Sequence, residues 1–397
     1  MNKPISTSCL ITVATSTQGL MKVPAFSGIM PLYLYIQQVR TKTMSTLLHD
    51  LLEEKGVLLA DGATGSNLFG MGLQTGDAPE LWNTDHSDRI SQHYRNFVEA
   101  GSDIILTNTF GGTQYRMKLH GAEKRVEELN VNGVKLLKAE IEKSGRQIVC
   151  AGSMGPTGEL IVPLGTMTHE EAVVAFREQA EALKKGGVDV FWIETLSSKE
   201  EAAAAVEACA GLGLPIVTTY SIDTNGRTMM GLSPDDIVKA SEEMDTPLIA
   251  FGSNCGIGAA ELLAAVINIK TSLSNLDGNK ADEAIIISKA NCGVPEYIDG
   301  EIVYSGTEAI MADYAGMAID AGARIIGGCC GTSYNHVAAM RKAIDNHSKG
   351  DSPSKEEIEQ RLGELSTGAI AQLEGKLSIA EGAYVQKDAP RRSRRRK

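Results

Sequence analysis

Apolar positions along the chain follow two alternating rhythms. Short β-branched or apolar runs occupy residues 57–61, 103–109, 148–152, 188–194, 215–221, 248–254, 284–291 and 323–327, each bounded by Gly, Pro, Ser or Asn. Helix-like stretches follow them, for example 89–100, 170–185, 199–212, 234–243 and 307–321. The stretch 170–185 shows the logic: Ala172, Phe176, Ala180 and Leu183 recur at helical spacing with charges between them, which places the apolar residues on one face. Strands alternating with such helices predict a parallel sheet. Before three of the strands the chain reads Ala100-Gly-Ser-Asp103, Gly186-Gly-Val-Asp189 and Ala321-Gly-Ala323, where glycine suits a left-handed turn closing the preceding helix. Strand–helix units of this kind, about eight of them over residues 50–345, predict an α/β protein of the (β/α)8 TIM-barrel class. A doubly wound open sheet is the alternative; the lack of a Gly-x-Gly-x-x-Gly opening favours the barrel.

Barrel chemistry sits at the C-terminal ends of the strands, and there polar and small residues collect. The strand ends read Asp61-Gly-Ala-Thr-Gly-Ser66, Thr107-Asn-Thr-Phe-Gly-Gly112, Gly152-Ser-Met-Gly-Pro-Thr-Gly158, Glu194-Thr195, Ser253-Asn-Cys-Gly256, Asn291-Cys-Gly293 and Gly327-Gly-Cys-Cys-Gly-Thr332. A shared site explains that economically. Of seven cysteines, Cys255, Cys292, Cys329 and Cys330 lie at strand ends. Cys9, Cys150 and Cys209 lie elsewhere and read as inert small residues. Gly327 and Gly328 let the backbone turn so that the adjacent thiols of Cys329 and Cys330 converge. Three thiolates with an open fourth position is the pattern of a catalytic zinc, whereas structural zinc closes with four protein ligands. On chemistry alone Cys292 stands as a candidate fourth ligand.

Gly252-Ser-Asn-Cys-Gly256 and Gly327-Gly-Cys-Cys-Gly-Thr332 resemble the paired zinc signatures of the homocysteine S-methyltransferases. Asp61-Gly-Ala-Thr-Gly65, Thr107-Asn-Thr-Phe110 and Ile193-Glu-Thr195 fall where that family binds homocysteine, and the resemblance covers residues 50–345. It implies a Zn2+ cofactor on Cys255, Cys329 and Cys330, with Cys292 near the site but not a ligand. It also implies homocysteine contacts from Asp61, Gly62, Thr107 and Glu194, with Glu194 pairing with the substrate ammonium and backbone amides near Gly62, with Thr107, holding its carboxylate. The expected reaction is methyl transfer to the homocysteine thiol, giving methionine, because zinc turns a poorly nucleophilic thiol into a thiolate.

The donor expected from the layout of the chain is glycine betaine, leaving dimethylglycine. Quaternary ammonium groups are recognised by aromatic faces, and Trp82, Phe110, Tyr115 and Tyr220 are the candidates. Gly111 and Thr195 stand where animal betaine-using members carry cage tyrosines, so the chain is also similar to the homocysteine barrel of cobalamin-dependent methionine synthases. The alternatives are therefore a stand-alone module served by a separate corrinoid protein, an S-methylmethionine-dependent enzyme and, in another class, a non-catalytic zinc-binding barrel. The chain ends soon after its barrel, which favours a small diffusible donor.

Composition narrows the partners. The 397 residues carry a net charge of −12, which argues against nucleic acid, since phosphate binding needs a basic surface. Cysteines that look reduced point to a cytoplasmic protein, and nothing in the run of residues is apolar enough to span a membrane. Homo-oligomerisation is left open. Residues 1–43 lack Asp and Glu and read as a disordered leader rather than an organelle-targeting presequence; residues 44–349 form the barrel. Residues 350–397 are a C-terminal extension with a short charged helix at 355–365 and a basic run at 391–397, read as a solvated tail.

Overall fold

The computed structural model describes residues 46–376 except 223, 224, 294, 299 and 300. The expected leader at 1–43 and basic run at 391–397 lie outside the described residues. Strands β1 (Leu58–Leu59), β2 (Ile104–Leu106), β3 (Val149–Met154), β4 (Val190–Leu196), β5 (Ile216–Tyr220), β6 (Ala250–Cys255) and β7 (Ile286–Ala290) appear in chain order. An antiparallel hairpin of β8 (Pro295–Ile298) and β9 (Glu301–Tyr304) is inserted before β10 (Ile325–Gly328). The main sheet has eight strands in the order β1-β10-β7-β6-β5-β4-β3-β2, and its pairings are parallel. A parallel bridge between Ala60 and Ile104 joins the two ends, so the sheet closes as a (β/α)8 TIM barrel.

Strand parity divides the core in two, because successive residues of a strand face opposite sides. Leu58, Ala60, Ile104, Leu106, Val149, Ala151, Val190, Trp192, Val217, Ala250, Ile287 and Ile325 pack together inside the barrel. Leu48, Leu51 and Leu52 of helix α1 (Leu47–Lys55) join that cluster and stopper the barrel at the N-terminal ends of its strands. The intervening residues, among them Leu59, Ile105, Phe191, Ile193, Ile216, Ile286 and Ile326, face the helices. Those helices include α2 (Ser87–Glu99), α3 (Val126–Ser144), α4 (His169–Gly186), α5 (Lys199–Cys209), α6 (Pro234–Glu242), α7 (Ala259–Leu276), α8 (Glu308–Asp320) and α9 (Tyr334–Asn346).

Helix α4 follows its sequence signals closely. Thr168 and Glu171 form a reciprocal capping box at its start, and Ala172, Phe176, Ala180 and Leu183 are all buried. Gly187 ends it at φ 100°. Gly101 and Gly322, at φ 96° and 102°, end their helices the same way, in a region that costs other residues strain. Past the barrel, α10 (Lys355–Leu362), α11 (Thr367–Leu373) and the link between them bury Ile358, Ala369 and Leu365 in the outer core. The start of the extension thus packs on the barrel. Among the described residues no helix is long and apolar enough to cross a membrane.

One buried carboxylate ties the lower end together. Asp103 accepts the amide of Leu59 at 3.0 Å, Lys55 Nζ at 2.6 Å and Arg341 Nη1 at 3.0 Å. Three elements distant in sequence therefore meet on one side chain. Lys55 and Arg341 are partly exposed and can turn to water, so removing the carboxylate mainly leaves the buried Leu59 amide unpaired, at about 1–3 kcal/mol. Asp103→Ala is expected to lose stability of that order in a denaturant titration while leaving metal content unchanged.

Candidate active site

The inward parity continues above the apolar core into a polar layer. Ser153 follows Ala151 on β3, Glu194 follows Trp192 on β4, Asn254 lies on β6, Lys289 follows Ile287 on β7, and Cys329 follows Gly327 just past β10. Two residues near this layer hold left-handed backbone, Thr195 at φ 62° and Cys255 at φ 63°. Neither is glycine, and such strain persists only where the surroundings fix it. Asn254 supplies part of that fixing. Its Oδ1 accepts the Thr195 amide at 2.9 Å and the Thr219 hydroxyl at 2.7 Å, while its Nδ2 donates to Thr195 Oγ1 at 2.8 Å. The same Nδ2 lies 3.7 Å from Cys329 Sγ. One amide thus couples the bent end of β4 to the thiol after β10.

The sulfurs of Cys255, Cys329 and Cys330 lie within 4.8 Å of one another, and those of Cys255 and Cys330 are 3.9 Å apart. Two sulfurs of a tetrahedral zinc, each bonded at about 2.3 Å, stand about 3.8 Å apart, so the spacing fits such an ion. The Cys329 thiol is pushed well above its ordinary range, first by its contact with Cys255 and then by burial. Clustered thiols of this kind need a cation to become thiolates together. Cys292 takes a different part. Its amide donates to the carbonyl of Cys330 at 2.9 Å, but its sulfur lies 3.4 Å from His336 Nε2. His336 Nδ1 accepts the Ser333 amide, which leaves Nε2 to carry the proton toward that sulfur. Burial pushes the Cys292 thiol up to about 11.

A cavity of about 790 Å³ opens beside the thiols. Of the residues expected to contact homocysteine, Gly62, Thr107 and Glu194 are on its wall. A Cβ on Gly62 would stand 2.4 Å from the Thr332 carbonyl oxygen, so the loop after β1 closes on the loop after β10 only with glycine there. Glu194 is 8 % exposed, and its Oε1 accepts the Ser153 hydroxyl at 2.5 Å. Burial raises its carboxyl, opposed by the charge of Lys289. Thr107 Oγ1 accepts the Ser153 amide at 3.0 Å. Asp61 stands behind the wall: its Oδ1 accepts Lys289 Nζ at 2.6 Å and its Oδ2 the Leu106 amide at 2.8 Å. Lys289, which the strand pattern did not single out, lines the cavity in its place.

The aromatic candidates separate. Phe110 lines the cavity, joined by Phe69 and Tyr304. Tyr220 shares the parity of Ile216 and packs in the outer core, fully buried. Trp82 is buried in the outer core, with the Arg89 guanidinium 5.0 Å from its ring. Tyr115 packs against Met167, Ala172 and Ala204. These three are not on the cavity wall, because strand parity and helix packing turn them toward the core. Other wall residues went unnoticed in the sequence. Glu80, buried, accepts the Gly111 amide at 2.6 Å, and Arg116 and His120 accompany it on the wall. Tyr304 comes from the β8–β9 insertion, whose short strands carry no helical or barrel rhythm.

A (β/α)8 barrel with three converging thiols beside a cavity at the C-terminal ends of its strands defines a barrel enzyme with a sulfur-rich site able to hold a metal ion. The chain belongs to the homocysteine S-methyltransferase family, whose model matches residues 58–344, and methyl transfer to homocysteine is the activity of that family. Among solved structures the fold is similar to the homocysteine methyltransferase MmuM from Escherichia coli. The oxidized form matches at a TM-score of 0.62 and 24% identity, over 75% of this chain and 99% of that one. The metallated form matches at 0.61 and 23%, with the same coverage.

Proposed function

We propose that the chain binds zinc through Cys255, Cys329 and Cys330 and transfers a methyl group from glycine betaine to the sulfur of homocysteine. The observation that carries this reading is the convergence of the three thiols on the wall of the cavity that Glu194 also faces. Zinc, when bound, would supply a substrate sulfur that is deprotonated at neutral pH. Glu194 takes the substrate ammonium, and Gly62 and Thr107 flank the amino-acid end. In the transfer, the donor's N–CH3 bond breaks as the S–CH3 bond forms, and the nitrogen keeps the electron pair as dimethylglycine leaves.

The wall residues support a cationic donor. Phe69 and Phe110 place aromatic rings on the wall, which suit an onium group, Glu80 adds a carboxyl beside them, and Arg116 suits a donor carboxylate. A second reading, S-methylmethionine as donor, is favoured by one observation: Trp82, Tyr115 and Tyr220 do not reach the wall, so the candidate rings do not form a closed cage. The test is methionine formation by the zinc-loaded protein with homocysteine and, separately, betaine, S-methylmethionine or methylcobalamin. Betaine is expected to support turnover with one dimethylglycine per methionine. Turnover with S-methylmethionine or methylcobalamin and not betaine overturns the donor. A zinc-loaded protein inert with all three overturns the catalytic reading in favour of a binding barrel.

A further inference from the structure

Among the described residues, Lys289 is a buried cation of the barrel's polar layer that both pairs with Asp61 and reaches the cavity. Lys289 is 2 % exposed, surrounded by the ends of parallel strands, and lines the cavity. Two residues earlier on the same face stands Ile287, part of the apolar interior, so the ammonium sits at the boundary between that interior and the polar layer. Burying an ammonium there carries a desolvation cost that only good partners offset. Its one hydrogen bond among the described residues is to Asp61 Oδ1, at 2.6 Å. The Trp192 ring lies 5.6 Å away. An ammonium has three donors, so two N–H groups remain uncommitted beside the cavity.

Charge balance indicates what they await. Lys289 is paired with Asp61, and its charge also acts on Glu194, which has Ser153 on one oxygen, so the layer carries one more carboxyl than ammonium. A zwitterionic α-amino acid complements this layer with both of its ends, ammonium to Glu194 and carboxylate to Lys289. We propose that Lys289 binds the α-carboxylate of the amino-acid substrate, and that Asp61, with both oxygens engaged by Lys289 and the Leu106 amide, is a positioning residue that aims the lysine. This rests on the homocysteine reading above. It gives Asp61 a part in recognition without contact, and it makes the carboxylate, rather than the ammonium alone, a feature the site selects.

The experiment compares homocysteine with 3-aminopropane-1-thiol, which keeps the thiol and ammonium and lacks the carboxylate. Both are measured by steady-state kinetics and by calorimetric binding to the zinc-loaded protein. The variants are Lys289→Met and the double variant Asp61→Asn with Lys289→Met, which removes both charges and so leaves no orphaned carboxylate if the single variant fails to fold. The wild type is expected to prefer homocysteine by about 10- to 150-fold, the worth of a charge-assisted hydrogen bond. In the folded variants that preference is expected to collapse to within about threefold on the same scale. Variants that lose both ligands equally, or that keep the wild-type preference, overturn the role of Lys289. A wild type that turns over no homocysteine overturns the reading on which the proposal rests, a result distinct from turnover with unaltered selectivity in the variants.

Discussion

Replacing any one of Cys255, Cys329 or Cys330 by alanine is expected to strip the protein of zinc and abolish methyl transfer. The three sulfurs lie within 4.8 Å of one another, so removing one leaves two thiols to hold the ion. Two protein ligands are fewer than the three a catalytic zinc site uses. Cys329 is held by Asn254, whose Nδ2 approaches its sulfur at 3.7 Å, and partners of this kind fix ligand orientation. The backbone adds to the constraint, since Cys255 occupies left-handed space at φ 63° for which an unconstrained cysteine has no preference. Cys292→Ala is the control and is expected to keep its metal, because that sulfur faces His336. Elemental analysis of each purified variant decides the matter. Full zinc in Cys330→Ala would remove that residue from the ligand set.

The barrel and the cysteine cluster could be read in the sequence because both leave local signals. Strand and helix periods differ, and several of the helices carry their own caps. Cys329 and Cys330 are adjacent, but the turn that presents them comes just past β10, with Gly331 at φ 77°, whereas Gly327 and Gly328, where the sequence placed the turn, are strand residues. What escaped reading depends on which way a side chain faces once the sheet closes. The stretch 215–221 offered Tyr220 as a donor contact, but the inward face belongs to Val217, and Tyr220 turns outward with Ile216. The same parity rule would have found Lys289, two positions after the inward Ile287, as a charge in the barrel interior. Its partner Asp61, 228 residues away, is brought to it only by barrel closure. Asp61 was legible as a strand-end carboxylate, but not that a lysine would occupy it. The strained turns at Thr195 and Cys255 were likewise invisible, because the side chain that clamps Thr195, Asn254, comes from another strand.

Glu194→Gln is expected to weaken homocysteine capture by roughly 10- to 150-fold, corresponding to about 1.5–3 kcal/mol for a lost charge-assisted hydrogen bond. Glutamine keeps the shape and an oxygen able to accept the Ser153 hydroxyl, so the change isolates the charge. Zinc content should not move, since the residue is not a ligand, and the donor constant should change far less than the homocysteine constant. The pH dependence adds a second check. Burial raises the Glu194 carboxyl above its ordinary range and Lys289 opposes that shift. The anion that holds the substrate ammonium is therefore present above this raised pKa and lost as pH falls through it. The wild-type homocysteine constant should rise on the acid side accordingly, whereas glutamine, which does not titrate, should remove that limb of the profile. Steady-state kinetics with each substrate varied in turn separates the outcomes. A raised donor constant with an unchanged homocysteine constant would assign Glu194 to the donor, and with it reverse the orientation of the two substrates in the cavity.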